Sequence, residues 1–190
     1  MDINEIIQEI RGFLSTTFNE IDLWFDKEVS VLDYQPNNGG WTVGQILEHI
    51  GLTNHFLLIL IEKGTNKALA NLSKFDLAEE LKIYHFHREK LTEVGLHQSF
   101  NWIRPEHMEP KAEKNLVEVR AQLKQQVQKC LDTLHLLKNG EGALFKTTMT
   151  VNELGKIDVY EYIYFLAQHG KRHLTQMEKN ETEFYHQLKK

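Results

Sequence analysis

Apolar residues recur at three- and four-residue steps in four long stretches of the chain, the period at which side chains line one face of a helix. The first stretch runs from residue 4 to about residue 27, with Ile7, Ile10, Phe13, Leu14, Phe18, Ile21, Trp24 and Phe25 on its stripe. The turn-forming run Gln35-Pro36-Asn37-Asn38-Gly39-Gly40 then reverses the chain. A second helix is predicted to start at Val43. Thr42 and Gln45 have the spacing of a capping box, and Trp41 and Ile46 that of a hydrophobic staple. Its stripe is Val43, Ile46, Leu47, Ile50, Leu57, Leu58 and Ile61, with His49 on the flank, and Gly64 is expected to end or bend it.

Asp76 and Glu79 form another capping pair, and Leu77, Leu81 and Tyr84 predict a short helix reaching about residue 90. Residues 91–110, punctuated by Gly95, Pro105 and Pro110, read mostly as loop. A third long helix is expected over residues 112–138 from Leu116, Val119, Leu123, Val127, Cys130, Leu134 and Leu137, with Asn139-Gly140 closing it. Residues 142–157 read as connection. Asp158 and Glu161 then cap the last helix. Its stripe holds Val159, Tyr162, Ile163, Leu166, Gly170 and Met177, while Lys171, Arg172 and Glu178 fall largely outside it. Four such segments in one domain of residues 1–190 predict an all-α fold, a four-helix bundle with long crossover connections.

The chemistry lies in that last helix. His169 and His173, spaced i,i+4, fall inside the apolar stripe and so face the core. Buried imidazoles need hydrogen-bond partners or a metal, because an unsatisfied buried polar group costs about 1–3 kcal/mol. The pair alone does not separate a metal site from two individually satisfied histidines. The zinc-protease pattern H-E-x-x-H does not apply, since Gly170 follows His169. His49, on another helix, reaches a comparable depth if the two helices pack antiparallel. Three neutral imidazoles on a tetrahedral ion leave a fourth position for water or substrate.

Composition narrows the field. The chain has 41% hydrophobic and 26% charged residues, and only three prolines among 190 residues, which favours long helices. A formal net charge of -5 with interspersed signs argues against nucleic acid. Cys130 is the sole cysteine and sits on a core stripe, where it reads as a small hydrophobe. An acidic N-terminus and the lack of an apolar run of about 18 residues predict no leader and no membrane span, hence a cytoplasmic location.

Four motifs together carry a family likeness. W-T-V-G-Q-I-L-E-H at 41–49, R-P-E-H-M-E-P at 104–110, L-G-K-I-D-V-Y-E at 154–161 and F-L-A-Q-H-G-K-R-H-L-T-Q-M at 165–177 resemble the DinB/YfiT-like metalloenzymes. That family is unrelated to the DNA polymerase sharing the DinB name. The resemblance implies a four-helix bundle, often a homodimer, binding a divalent metal, commonly zinc or nickel, through His49, His169 and His173. It also implies chemistry of the kind seen in S-transferases using low-molecular-weight thiols and in maleylpyruvate isomerases. The expected function is therefore a metal-dependent S-transferase or hydrolase acting on a small molecule. The alternatives are a non-catalytic or stress-related bundle that binds a small ligand and a structural dimerisation domain.

Other polar residues are assigned bland roles. Trp41 reads as staple and core aromatic, and Gln176, one turn beyond His173, as exposed or as a hydrogen-bond partner of a ligand or bound water. His55, His97, His107, His135 and His186 have no partner at ligand spacing, and His85 and His87 fall on opposite sides of a helix, at the surface. Arg172 is expected to pair with an acid.

Overall fold

The structure, a computed structural model, describes residues 2–97, 99–100, 106–111 and 114–189, and for His107 the backbone alone. Its helices are α1 (Ile3–Trp24), α2 (Val29–Leu32), α3 (Val43–Asn71), α4 (Leu77–Lys82), α5 (Arg88–Gly95), α6 (Leu116–Leu136) and α7 (Val159–Gln187). Two short strands, β1 (Thr147–Met149) and β2 (Gly155–Ile157), pair antiparallel with Thr147 opposite Ile157.

The long helices α1, α3, α6 and α7 form the expected four-helix bundle. Each of α1 and α3 packs on both α6 and α7, so the order around the bundle is α1, α7, α3, α6. The pairs α3 and α7 run antiparallel: Gly64 meets Val159 at one end, and Asn180 Nδ2 donates to the Trp41 carbonyl, 2.8 Å away, at the other. In contrast α3 and α6 run parallel, since Gly44 meets Leu116 and Gly51 meets Gln122. Parallel neighbours cannot be joined by a tight turn, and the crossover between them carries α4 and α5. The core between the four helices includes Leu14, Ile46, Ile50, Leu134 and Leu166, none with any exposed surface. Each contributes about 1.5–3 kcal/mol by its burial.

Both main capping boxes are formed, Thr42 with Gln45 at the start of α3 and Asp158 with Glu161 at the start of α7. Elsewhere the sequence reading needs correction. Gly64 does not end α3, which runs on to Asn71; a Cβ there would stand 3.0 Å from Val159 Cγ2, so the glycine serves close approach of α7. The helix expected to run from Leu77 to about residue 90 stops at Lys82 and resumes as α5. Between them, Phe86 is buried with its ring 5.3 Å from that of Tyr164, and His87 binds Glu161, contacts a continuous helix would not make. Residues 88–95, partly assigned to loop, are helix because Leu91 and Val94 bury completely. The third helix starts at Leu116, capped by Asn115, and its expected first residue, Ala112, lies outside the described residues. The connection over residues 142–157 contains the β1–β2 hairpin, tied to α7 by the Tyr162 hydroxyl donating to the Thr148 carbonyl at 3.3 Å.

With α5 on its outer side, α7 is buried all round over residues 159–170, where an amphipathic helix was expected. A helix enclosed on every side cannot avoid burying what its sequence places there, and this stretch carries His169, with His173 buried one turn on.

Candidate metal centre

His49, His169 and His173 meet in the interior between α3 and α7, with 5%, 2% and 6% of their surface exposed. The antiparallel packing of the two helices brings His49 level with the pair. One helical turn separates His169 from His173, and Gly170 between them lets α1 approach, because a Cβ there would lie 3.1 Å from Ile21 Cδ1.

Their Nε2 atoms converge. His169 Nε2 stands 3.3 Å from His49 Nε2 and 3.1 Å from His173 Nε2, and one ligand atom from each residue falls within 4.8 Å of the others. The opposite ring atoms are held by acceptors. His49 Nδ1–H donates to the Met108 carbonyl at 2.7 Å, and His173 Nδ1–H donates to Gln176 Oε1 at 2.9 Å. Each of these two rings thus gives an Nδ1 proton to its acceptor and turns Nε2 inward. With all three rings neutral, His169 can donate from Nε2 to only one of them, and at least one of the two close contacts sets lone pair against lone pair.

Protonation would relieve this, but burial opposes it. Desolvation, followed by the neighbouring imidazoles, holds His169 and His173 well below the ordinary histidine range, with the Gln176 bond pulling His173 the other way. A metal ion relieves the contact without the cost of a buried imidazolium. Tetrahedral coordination at metal–nitrogen distances of about 2.0–2.1 Å spaces its nitrogens about 3.3–3.4 Å apart, close to the separations seen here. The three residues could hold such an ion.

The surroundings include groups whose roles the sequence reading did not assign. Thr53 Oγ1, one turn along α3 from His49, lies 3.5 Å from His49 Nε2, and Met108 Sδ lies 4.0 Å from that hydroxyl. The i,i+4 spacing of His49 and Thr53 was the signal for the first. Nothing local foretells a backbone carbonyl from 59 residues away. Trp41 covers His49, ring centroids 4.7 Å apart, and Glu48 is buried in the adjacent position. Gln176 is half-buried and accepts from His173 Nδ1 at 2.9 Å. Arg172 donates from Nη1 to the Leu96 carbonyl at 2.6 Å.

A family model for the DinB superfamily matches residues 23–177. The chain belongs to the DinB superfamily. No curated protein and no solved structure matches it. The matched span includes His49, His169 and His173, all of α3, and α7 as far as Met177.

Of the remaining histidines, His87 corrects its expectation: it lies in the non-helical segment before α5 and donates from Nδ1 to Glu161 at 2.6 Å. His85 is exposed, as expected. In the 104–110 motif, Arg104, Pro105 and the His107 side chain lie outside the described residues. Cys130 is fully buried, and burial pushes its thiol up to about 12. Among the described residues, no helix is long and apolar enough to cross a membrane.

Proposed function

We propose that this DinB-family chain is a divalent-metal-dependent enzyme acting on a small molecule, with zinc or nickel held by Nε2 of His49, His169 and His173. The observation that supports it is the convergence of these nitrogens at 3.1 and 3.3 Å, with two of the three Nδ1 protons committed elsewhere. Such an ion, when bound, is a Lewis acid that lowers the pKa of a coordinated water or thiol.

The chain's own residues hold and shield that position. The Met108 carbonyl and Gln176 orient two rings; Trp41 excludes water on the α3 side; Thr53 offers a hydroxyl to orient a substrate atom. Either water or a thiol can become the nucleophile on such an ion, so the reading covers transfer involving a low-molecular-weight thiol and hydrolysis alike. One domain over residues 1–190, a homodimer and a cytoplasmic location complete the proposal.

Elemental analysis of untagged protein, purified without chelator, tests the site. About one equivalent of metal is expected in the wild type and little in His49→Ala or His173→Ala. No metal in the wild type after reconstitution, or full metal in the variants, would overturn it. A loaded protein that turns over neither thiol-transfer nor hydrolysis substrates would favour the ligand-binding alternative.

A further inference from the structure

A second group of ionisable side chains lies at the start of α7, apart from the three histidines. Asp158 and Glu161, the two halves of the capping box, are buried at 1% and 0% exposure. Two carboxylates in one dry site repel, and each loses its hydration.

Their donors are unequally divided. Glu161 Oε1 accepts from the His87 backbone N–H at 2.9 Å and from His87 Nδ1–H at 2.6 Å, and Oε2 accepts from the Asp158 N–H at 3.0 Å. Asp158 Oδ1 accepts from the Glu161 N–H at 3.1 Å, while Oδ2 is enclosed with no hydrogen-bond partner among the described residues. The Tyr84 hydroxyl, buried and likewise without a hydrogen bond of ordinary geometry there, is near enough to Asp158 to pull its carboxyl down against the effect of burial.

Neighbouring elements supply little compensation. Lys146 Nζ stands 5.9 Å from the centre of the Tyr84 ring and pulls on Asp158 less than the other groups do. His85 is exposed, its ring 4.9 Å from that of His87. The Tyr160 hydroxyl is committed to the Leu137 carbonyl and the Gly142 N–H, and Glu141 accepts from Asn139.

We propose that Asp158 and Tyr84 form a proton-binding site, in which Asp158 carries a proton on Oδ2 and directs it to the Tyr84 hydroxyl while Glu161 keeps the negative charge of the pair. Burial, with Glu161 beside it, pushes Asp158 up to about 7, in keeping with that division. Loss of the proton sets two like charges under residues 84–87, the segment these bonds fasten to the helix bearing His169 and His173. The site is thus a latch that loosens as pH rises. Because the folded-state value is raised, its stabilisation is complete below about pH 3.9 and is lost as pH rises through about 7.

Asp158→Asn keeps an acceptor for the Glu161 N–H and places an amide N–H where the proton would be. The melting temperature of this variant should gain on the wild type by about 5 °C or more between pH 5 and 8. A difference that does not change with pH would overturn the proposal. A carbon-13 carboxyl titration of wild-type protein decides the matter even where the variant fails to fold. One aspartate with a midpoint near 7 is expected, and all aspartates titrating below about pH 5 would refute the site.

Discussion

Gln176 Oε1 accepts the Nδ1 proton of His173, 2.9 Å away and one turn along α7, which leaves the His173 Nε2 lone pair facing His169 Nε2. Partners of this kind, once removed, typically weaken metal binding by about 10–100-fold. Gln176→Leu should show that loss against a chromophoric chelator, and Gln176→Glu, which keeps an acceptor, should not. Equal affinity in the leucine variant would mean that other contacts orient the ring.

In the metal-free protein the contribution of His169 and His173 to stability should fall on acidification. His169 and His173 are held below their ordinary value, so the unfolded chain binds protons first. Their contribution is complete above about pH 6.5 and falls away below it. Urea unfolding at pH 7.5 and 5.5, compared with His169→Leu/His173→Leu, isolates this from the opposing effect of Asp158. The gap between the two proteins should move in favour of the variant at the lower pH.

Replacing glycine inside a helix by alanine ordinarily stabilises by up to about 1 kcal/mol. Gly64→Ala should do the reverse, costing about 1–2 kcal/mol, because the added methyl would lie 3.0 Å from Val159 Cγ2. Val159 is 1% exposed and β-branched, so it cannot swing aside. A gain in urea midpoint would show that the α3–α7 contact has slack.

Tyr160 is fully buried, and its hydroxyl donates to the Leu137 carbonyl and accepts from the Gly142 N–H. Tyr160→Phe leaves both backbone groups buried without that partner, at a cost of about 1–3 kcal/mol. Thermal or urea unfolding should show it, with metal content unchanged, since Tyr160 lies at the far end of the buried part of α7 from His173.

Much of the site was legible in the chain itself. The i,i+4 pair His169 and His173 is local geometry, and both fall on a stripe whose burial follows from its apolar neighbours. His49 was placed by the capping box at Thr42 and Gln45, which sets the start of α3 and with it the depth of a residue two turns on. Gln176 and Thr53 sit one turn from histidines they serve, so their candidacy was visible though their partners were not. The Met108 carbonyl was not, because a backbone oxygen has no sequence signature.

The sequence by itself determined the four long helices, their two capping boxes and the i,i+4 spacing of His169 and His173, because each depends on interactions within a few residues. Only the tertiary structure decided that residues 83–87 leave the helix to bind Glu161, that α5 covers the outer side of α7, and that Gly64 marks a contact rather than an end. It alone also brought His49 Nε2 to 3.3 Å from His169 Nε2, across 120 residues. The reason is physical. Helical period and caps are set by neighbours along the chain, whereas packing against α7 competes with those preferences and wins where burial of Phe86, Leu91 and Val94 is at stake.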